Sequence, residues 1–183
     1  MRSLTAPISA RFAALIAFFL IGAVPGPPVT AAEDACAGFA WDVTRERALF
    51  AGDAAQLPAG TDSSSAPLLA PGRLYALQLR PIDQVHFVTT PGRRNPSDGG
   101  YAGVAALKIP APGTYRIAVD APFWVDVVAD GGLMNVKDFQ SAHDCDAPRK
   151  ILEFEFPMPR QVTLQFSGAA HAGIRLSITA AGP

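Results

Sequence analysis

The chain has 183 residues, 49% of them hydrophobic, and its 15 Lys+Arg against 16 Asp+Glu give a formal net charge of −1. The charges are scattered, with no basic stripe of the kind a phosphate backbone attracts, so nucleic acid is not an expected partner. No polybasic amphipathic helix is present, which removes the usual basis for binding at a membrane surface.

Residues 1–32 read as a cleavable signal peptide. Arg2 and Arg11 are followed by an apolar run from Phe12 to Val24, and then by small residues around Val29-Thr30-Ala31-Ala32. Signal peptidase needs small side chains at its −3 and −1 subsites, which Val29/Ala31 or Thr30/Ala32 supply. The run is shorter than the about 20 apolar residues of a transmembrane helix, so no membrane span is expected after cleavage. The competing reading is a short buried N-terminal helix. Without Arg2 and Arg11, the chain from Glu33 keeps 13 Lys+Arg against 16 Asp+Glu, a net charge of about −3. Residues 33–183 are expected to form a single domain, periplasmic or secreted.

Both cysteines, Cys36 and Cys145, lie after the leader. An even count in an oxidising compartment predicts a disulfide, with two free thiols or a metal ligand as the alternative. Next along the chain, Phe39, Trp41 and Val43 alternate as in a short strand, and Arg45 to Ala51 suits one or two helical turns. Residues 58–72, rich in Pro, Gly and Ser, read as a loop, and Ser63-Ser64-Ser65 as flexible linker.

From Arg73 the apolar period becomes two. Tyr75, Leu77 and Leu79 share one side of a strand, and Val85 and Phe87 one side of another. Tyr101, Ala105, Leu107 and Ile109 follow the polar loop 91–100. Tyr115, Ile117 and Val119 come next, then the strand Phe123 to Ala129 closed by the turn signal Asp130-Gly131-Gly132. After a loop at 137–149, three more sets alternate: Leu152, Phe154 and Phe156; Val162, Leu164 and Phe166; Ile174, Leu176 and Ile178. Such apolar-in, polar-out alternation suits sheets with one buried face. About eight short strands without a long helix predict an all-β fold. Two packed antiparallel sheets, a jelly-roll-like β-sandwich, is the expected architecture, with a barrel the lesser option.

The segment Ile109 to Gly132 resembles the small exported β-sandwich modules beside secreted bacterial peptidases, the pre-peptidase C-terminal-like domains. Gln161 to Thr179 is similar to their terminal hairpin. The block Cys36-Ala37-Gly38-Phe39-Ala40-Trp41, with Asp144-Cys145-Asp146 and Arg149-Lys150, is similar to a set of small exported bacterial proteins. The resemblance implies export and a sandwich and carries no particular activity. A homogentisate dioxygenase reading, attached to some members of that set, has no support in these residues. That enzyme is a far larger chain with a two-His, one-carboxylate iron site.

Chemistry-bearing patterns are sparse. The three histidines, His86, His143 and His171, show no HxH or HxxxH spacing, and there is no CxxC. His143, Asp144 and Asp146 are the weak metal candidates, on adjacent positions that rarely converge on one ion. No Gly-x-Ser-x-Gly elbow occurs, and a Cys145 nucleophile beside His143 competes with the expected disulfide. Glu153 and Glu155 share a strand face at a spacing a glycosidase pair uses, but such pairs more often form a solvated face, as do Asp126 and Asp130. No catalytic residue and no cofactor are assigned.

Binding is the more physical expectation. Trp124 falls opposite in parity to Val125 and Val127, on an outer face or rim, where it forms a sugar-stacking platform with Phe123 and Tyr101 or else packs under a loop. Trp41 reads as core. The first expectation is an exported non-catalytic binding or accessory module of the cell envelope, taking a glycan or an envelope protein. The alternatives are a small secreted hydrolase or metal-dependent enzyme working from the 137–149 loop, and a structural envelope protein.

Overall fold

The period-two alternation translates directly into strands facing one core. In the computed structural model the described residues are 36–92, 100–145 and 147–182; the leader reading of residues 1–32 lies outside them, as do Asp146 and most of the polar loop at 91–100. One short helix, α1 (Thr44–Phe50), precedes twelve strands. They are β1 (Ala55–Pro58), β2 (Leu68–Leu69), β3 (Leu74–Gln78), β4 (Arg80–Pro81), β5 (Tyr101–Ile109), β6 (Gly113–Val119) and β7 (Trp124–Ala129). The remainder are β8 (Gly132–Leu133), β9 (Asp138–Ser141), β10 (Lys150–Phe156), β11 (Arg160–Ala169) and β12 (Gly173–Ala180).

Two sheets form a sandwich. The first runs β1-β3-β12-β6-β10-β9; the second runs β2-β5-β11-β7-β8, with β4 also paired to β5. Between them lie Leu77, Ile117, Phe154 and Leu176 from the first sheet and Leu107, Val127, Leu164 and Phe166 from the second. These are the residues whose alternation marks them in the sequence. Burying each large aliphatic or aromatic side chain stabilises the fold by about 1.5–3 kcal/mol, so this layer is the main driving force for association of the sheets.

The strand count exceeds the expected eight because five of the twelve, β1, β2, β4, β8 and β9, are two to four residues long and too short to show a period. Two pairs, β1–β3 and β2–β5, are parallel. They lie at sheet edges, and the long connection from residue 59 to residue 73 supplies the crossover that parallel pairing of β1 with β3 needs. Two predicted strands are absent. Phe39 to Val43 is an irregular, bent segment between the turn at 36–38 and α1, and Val85 to Phe87 follows a 3-10 turn at Ile82–Gln84 without joining a sheet. In both places the apolar residues bury by packing rather than by pairing, which a two-fold alternation in three to five residues cannot distinguish. Ser63 to Ser65 is likewise an ordered turn, because the Asp62 Oδ1 accepts the N–H groups of Ser64 and Ser65.

The N-terminal segment forms a second apolar layer. Phe39, Val43 and Phe50 pack with Leu74, Ala118, Cys145 and Ile151 on the outer face of the first sheet. The Cys36–Cys145 disulfide, spanning 109 residues, fastens this segment. Polar contacts reinforce it. Glu46, buried on α1, accepts a hydrogen bond from Thr179 Oγ1, and the Arg116 guanidinium lies 4.8 Å from the Trp41 ring centre. Trp41 is therefore half-buried against this outer layer rather than in the space between the sheets. A disulfide of this kind points to an oxidising compartment. Among the described residues no helix is long and apolar enough to cross a membrane.

Candidate functional site: an apolar cleft at the open edge of the sandwich

The turn after β7 sets the geometry of this edge. Asp130 and Gly131 both take positive φ, 52° and 77°, which is what a two-residue hairpin twisted to match its strands requires. The chain therefore folds straight back as β8, and Met134 N–H donates to Val127 O at 2.8 Å. Residues 133–139 (LMNVKDF) then pass from the edge of the second sheet to β9 at the edge of the first. The sandwich stays open between the two edges, leaving a cleft of about 320 Å³.

Its walls are apolar. Leu133 (42% exposed), Val136 (37%) and Phe139 (59%) stand at the opening, joined by Trp124 (36%). The floor is made by Val125, Leu152 and Phe154, all buried residues of the main core. Leu152 lies directly opposite Phe139 in the β9–β10 ladder, so the exposed ring continues the inner face of the sheet outward. Four of the seven large exposed hydrophobic side chains among the described residues thus line one concavity. Side chains that cost solvation free energy at the surface rarely gather by chance, and such patches mark contact sites.

The charged groups of the cleft are engaged with their neighbours. Trp124 Nε1 donates to Asp126 Oδ1 at 2.8 Å, and the Gly92 N–H donates to Asp126 Oδ2 at 3.1 Å. The Lys150 ammonium sits 5.3 Å from the Trp124 ring centre and donates to Phe123 O at 3.5 Å. Nearby, Gln165 on β11 is fully buried, and its side-chain amide both donates to Thr89 O and accepts from Thr89 N–H. These bonds lay residues 89–92 over the outer face of the second sheet, so Trp124 is a rim residue flanked by a loop.

The three aromatics expected to share a platform are dispersed. Phe123 is buried, edge-on to Phe166 with ring centres 6.2 Å apart. Tyr101 packs against the main core and lines a different hollow, with Pro81 and Asp83. Of the three, Trp124 alone reaches the cleft. Period two places Phe123 beside Trp124 in sequence and for that reason on the opposite face.

The other chemistry-bearing candidates are spread over the surface. His86, His143 and His171 are exposed on three separate loops, and Asp144 is exposed beside His143. Among the described residues no three His, Cys, Asp or Glu side chains are grouped to hold a metal ion; Asp146 lies outside them. Cys145 is not a free thiol, because it pairs with Cys36. Glu153 and Glu155 form ion pairs, Glu153 across to β6 with Arg116 Nε at 2.9 Å and Glu155 with Lys137, just before β9, at 4.0 Å. Asp130 accepts from Arg160 Nη2 at 2.7 Å. The Asp62 carboxyl is drawn down to about 2, chiefly by the Ser64 hydroxyl and then by the Ser65 amide and hydroxyl that bond its charged form.

The wall residues Leu133, Met134, Val136 and Phe139 carry no signal in the sequence beyond an apolar-rich stretch inside a segment read partly as loop. Four apolar residues in seven, next to a strong turn, is the one clue that a solvent-facing loop alone does not need them. Neither a protein-family model nor a curated protein matches the chain.

Proposed function

We propose that the protein is an exported, non-catalytic binding module of the cell envelope, and that its ligand occupies the cleft between the β7–β8 and β9–β10 edges. The observation that carries this reading is the gathering of Trp124, Leu133, Val136 and Phe139 around one opening that leads down to the sandwich core. At about 320 Å³ the cleft falls at the small end of the range for small-molecule sites, about 300–1,000 Å³, and its mostly apolar lining is typical of them. Export is supported by the leader-like residues 1–32, and the disulfide agrees with an oxidising destination. The apolar lining favours an apolar ligand group over a flat sugar platform.

Amide-resolved NMR titration with a panel of small apolar fragments and soluble oligosaccharides tests the site. Shifts concentrated at Trp124, Leu133, Val136 and Phe139 with the apolar members are expected. A panel that leaves these amides unmoved, or turnover of an ester or glycoside substrate by the protein, overturns the reading. Expression with the native N-terminus in a bacterial host tests the address. A periplasmic product beginning after Ala31 or Ala32 is expected, and uncleaved protein confined to the cytosol refutes it.

A further inference from the structure

We propose that the cleft takes a single alkyl chain end-on, without selecting the charge of its head group; this rests on the reading of the cleft as the ligand site. The floor residues Val125 on one sheet and Leu152 and Phe154 on the other are core side chains, so the opening leads into the space between the sheets. The inserted end of a guest meets mostly apolar atoms there, and the polar side chains of the lining are Asp126, Lys150, the exposed Asn135 and the Trp124 indole N–H. A peptide or sugar inserted end-on carries more amides or hydroxyls than these walls can partner, and that burial is unfavourable. A chain of methylenes carries none.

Two further observations narrow the guest. The charged groups of the rim are engaged with their neighbours. Both Asp126 oxygens accept bonds, from Trp124 Nε1 and Gly92 N–H, and Lys150 lies on the Trp124 ring and donates to Phe123 O. They form a closed polar set beside the opening, with one positive and one negative member, and so favour neither sign of head group. Strand addition along β9 is also opposed. The Phe139 N–H is taken by the Asp138 carboxylate at 2.8 Å, and the neighbouring Gln140 Oε1 accepts from Ala40 N–H. Charged and occupied edges of this kind resist pairing with another chain.

The test is calorimetric and NMR titration of the purified, disulfide-bonded protein with 1-decanol, decanoate and decyltrimethylammonium below their aggregation concentrations, and with the octyl and nonyl homologues. All three head groups are expected to bind within about threefold of one another, and each added methylene to tighten binding about fourfold, the equivalent of about 0.8 kcal/mol. Leu133→Asp and Phe139→Ser, both at exposed positions, are expected to weaken binding at least about tenfold with little change in melting temperature, because each removes apolar wall. Met158→Ser, exposed and away from the cleft, leaves it unchanged. Binding restricted to one head-group charge, or affinity flat with chain length, overturns the alkyl assignment. The same holds if an apolar peptide of alternating residues binds at the cleft where decanol does not. In each of these cases the cleft stands as the ligand site. If no probe of either titration panel moves the cleft amides, the binding reading falls along with the inference.

Discussion

Gln165 shows how one side chain does the work of a strand. Its position in β11 is an outward, polar one by alternation, yet it is fully buried, because its carboxamide reproduces the donor and acceptor pattern of a backbone and holds Thr89 by both N–H and C=O. Replacing it with Ala leaves both Thr89 groups without these partners. Gln165→Ala is expected to destabilise the protein by about 1–3 kcal/mol, read as a lowered urea midpoint, and to release residues 89–92 from the rim of the cleft. Asp62 makes a pH-dependent counterpart. Its folded pKa of about 2 lies below the ordinary carboxyl value of 3.8, so the fold favours the ionised carboxylate. The contribution is fully present above about pH 4 and is lost as the pH falls through about 2. NMR titration of the Ser64 and Ser65 amides is expected to follow that midpoint, and Asp62→Asn to abolish the dependence.

At the scale of elements, α1 and the turn before it act as a strap over the first sheet. Seven residues of helix are too short to be stable alone, so the strap depends on what it touches. It is held by the apolar contacts of Phe39, Val43 and Phe50, by Glu46 bonded to Thr179, and by Arg175 donating to Phe50 O. The disulfide joins residues 109 apart in sequence, a span for which the chain-entropy argument gives about 4–5 kcal/mol as an upper value. Replacing both cysteines with Ser is expected to cost about 2–5 kcal/mol by denaturant unfolding. Hydrogen exchange of the α1 amides is expected to accelerate well before that of β6 and β11, since the latter keep both sheet neighbours. Equal acceleration throughout argues that the strap and sandwich open as one unit.

For the molecule as a whole, the cleft and the core are one structure seen from two sides. Phe154 illustrates this: it is 2% exposed, packs in the main layer between the sheets, and forms part of the cleft floor. Phe154→Ala is expected to destabilise the sandwich by about 3–5 kcal/mol, as core aromatic truncations do. It also deepens the cleft, so longer alkyl probes are expected to recover part of that loss as a rise in melting temperature, in proportion to their occupancy. A variant that loses stability with no response to such probes would separate core from cleft. The four apolar side chains at the opening are unfavourable in water, and their gathering sets this edge apart from an ordinary rim.

Much of the architecture is legible in the linear order of residues. A strand has a period of two, so Tyr115, Ile117 and Val119, or Val162, Leu164 and Phe166, declare which way they face, and each set is buried in the layer between the sheets. Asp130-Gly131 likewise states its turn, because few residues tolerate positive φ, and two cysteines after a leader-like segment state their pairing. The strap over the first sheet was less visible, since Ala118 and Ile151 occupy nominally outward positions and are buried by a segment remote in sequence. The candidate site was the least legible part. Alternation and cysteine count point to the sandwich and the clasp, and parity alone brings Trp124 to a rim and sends Phe123 inward. That Trp124 meets Leu133, Val136 and Phe139 around a cleft is visible in three dimensions alone. Periodicity reports the direction of each side chain within its own strand, while a cleft is made where two sheets end, and which edges end together is a property of strand order in space.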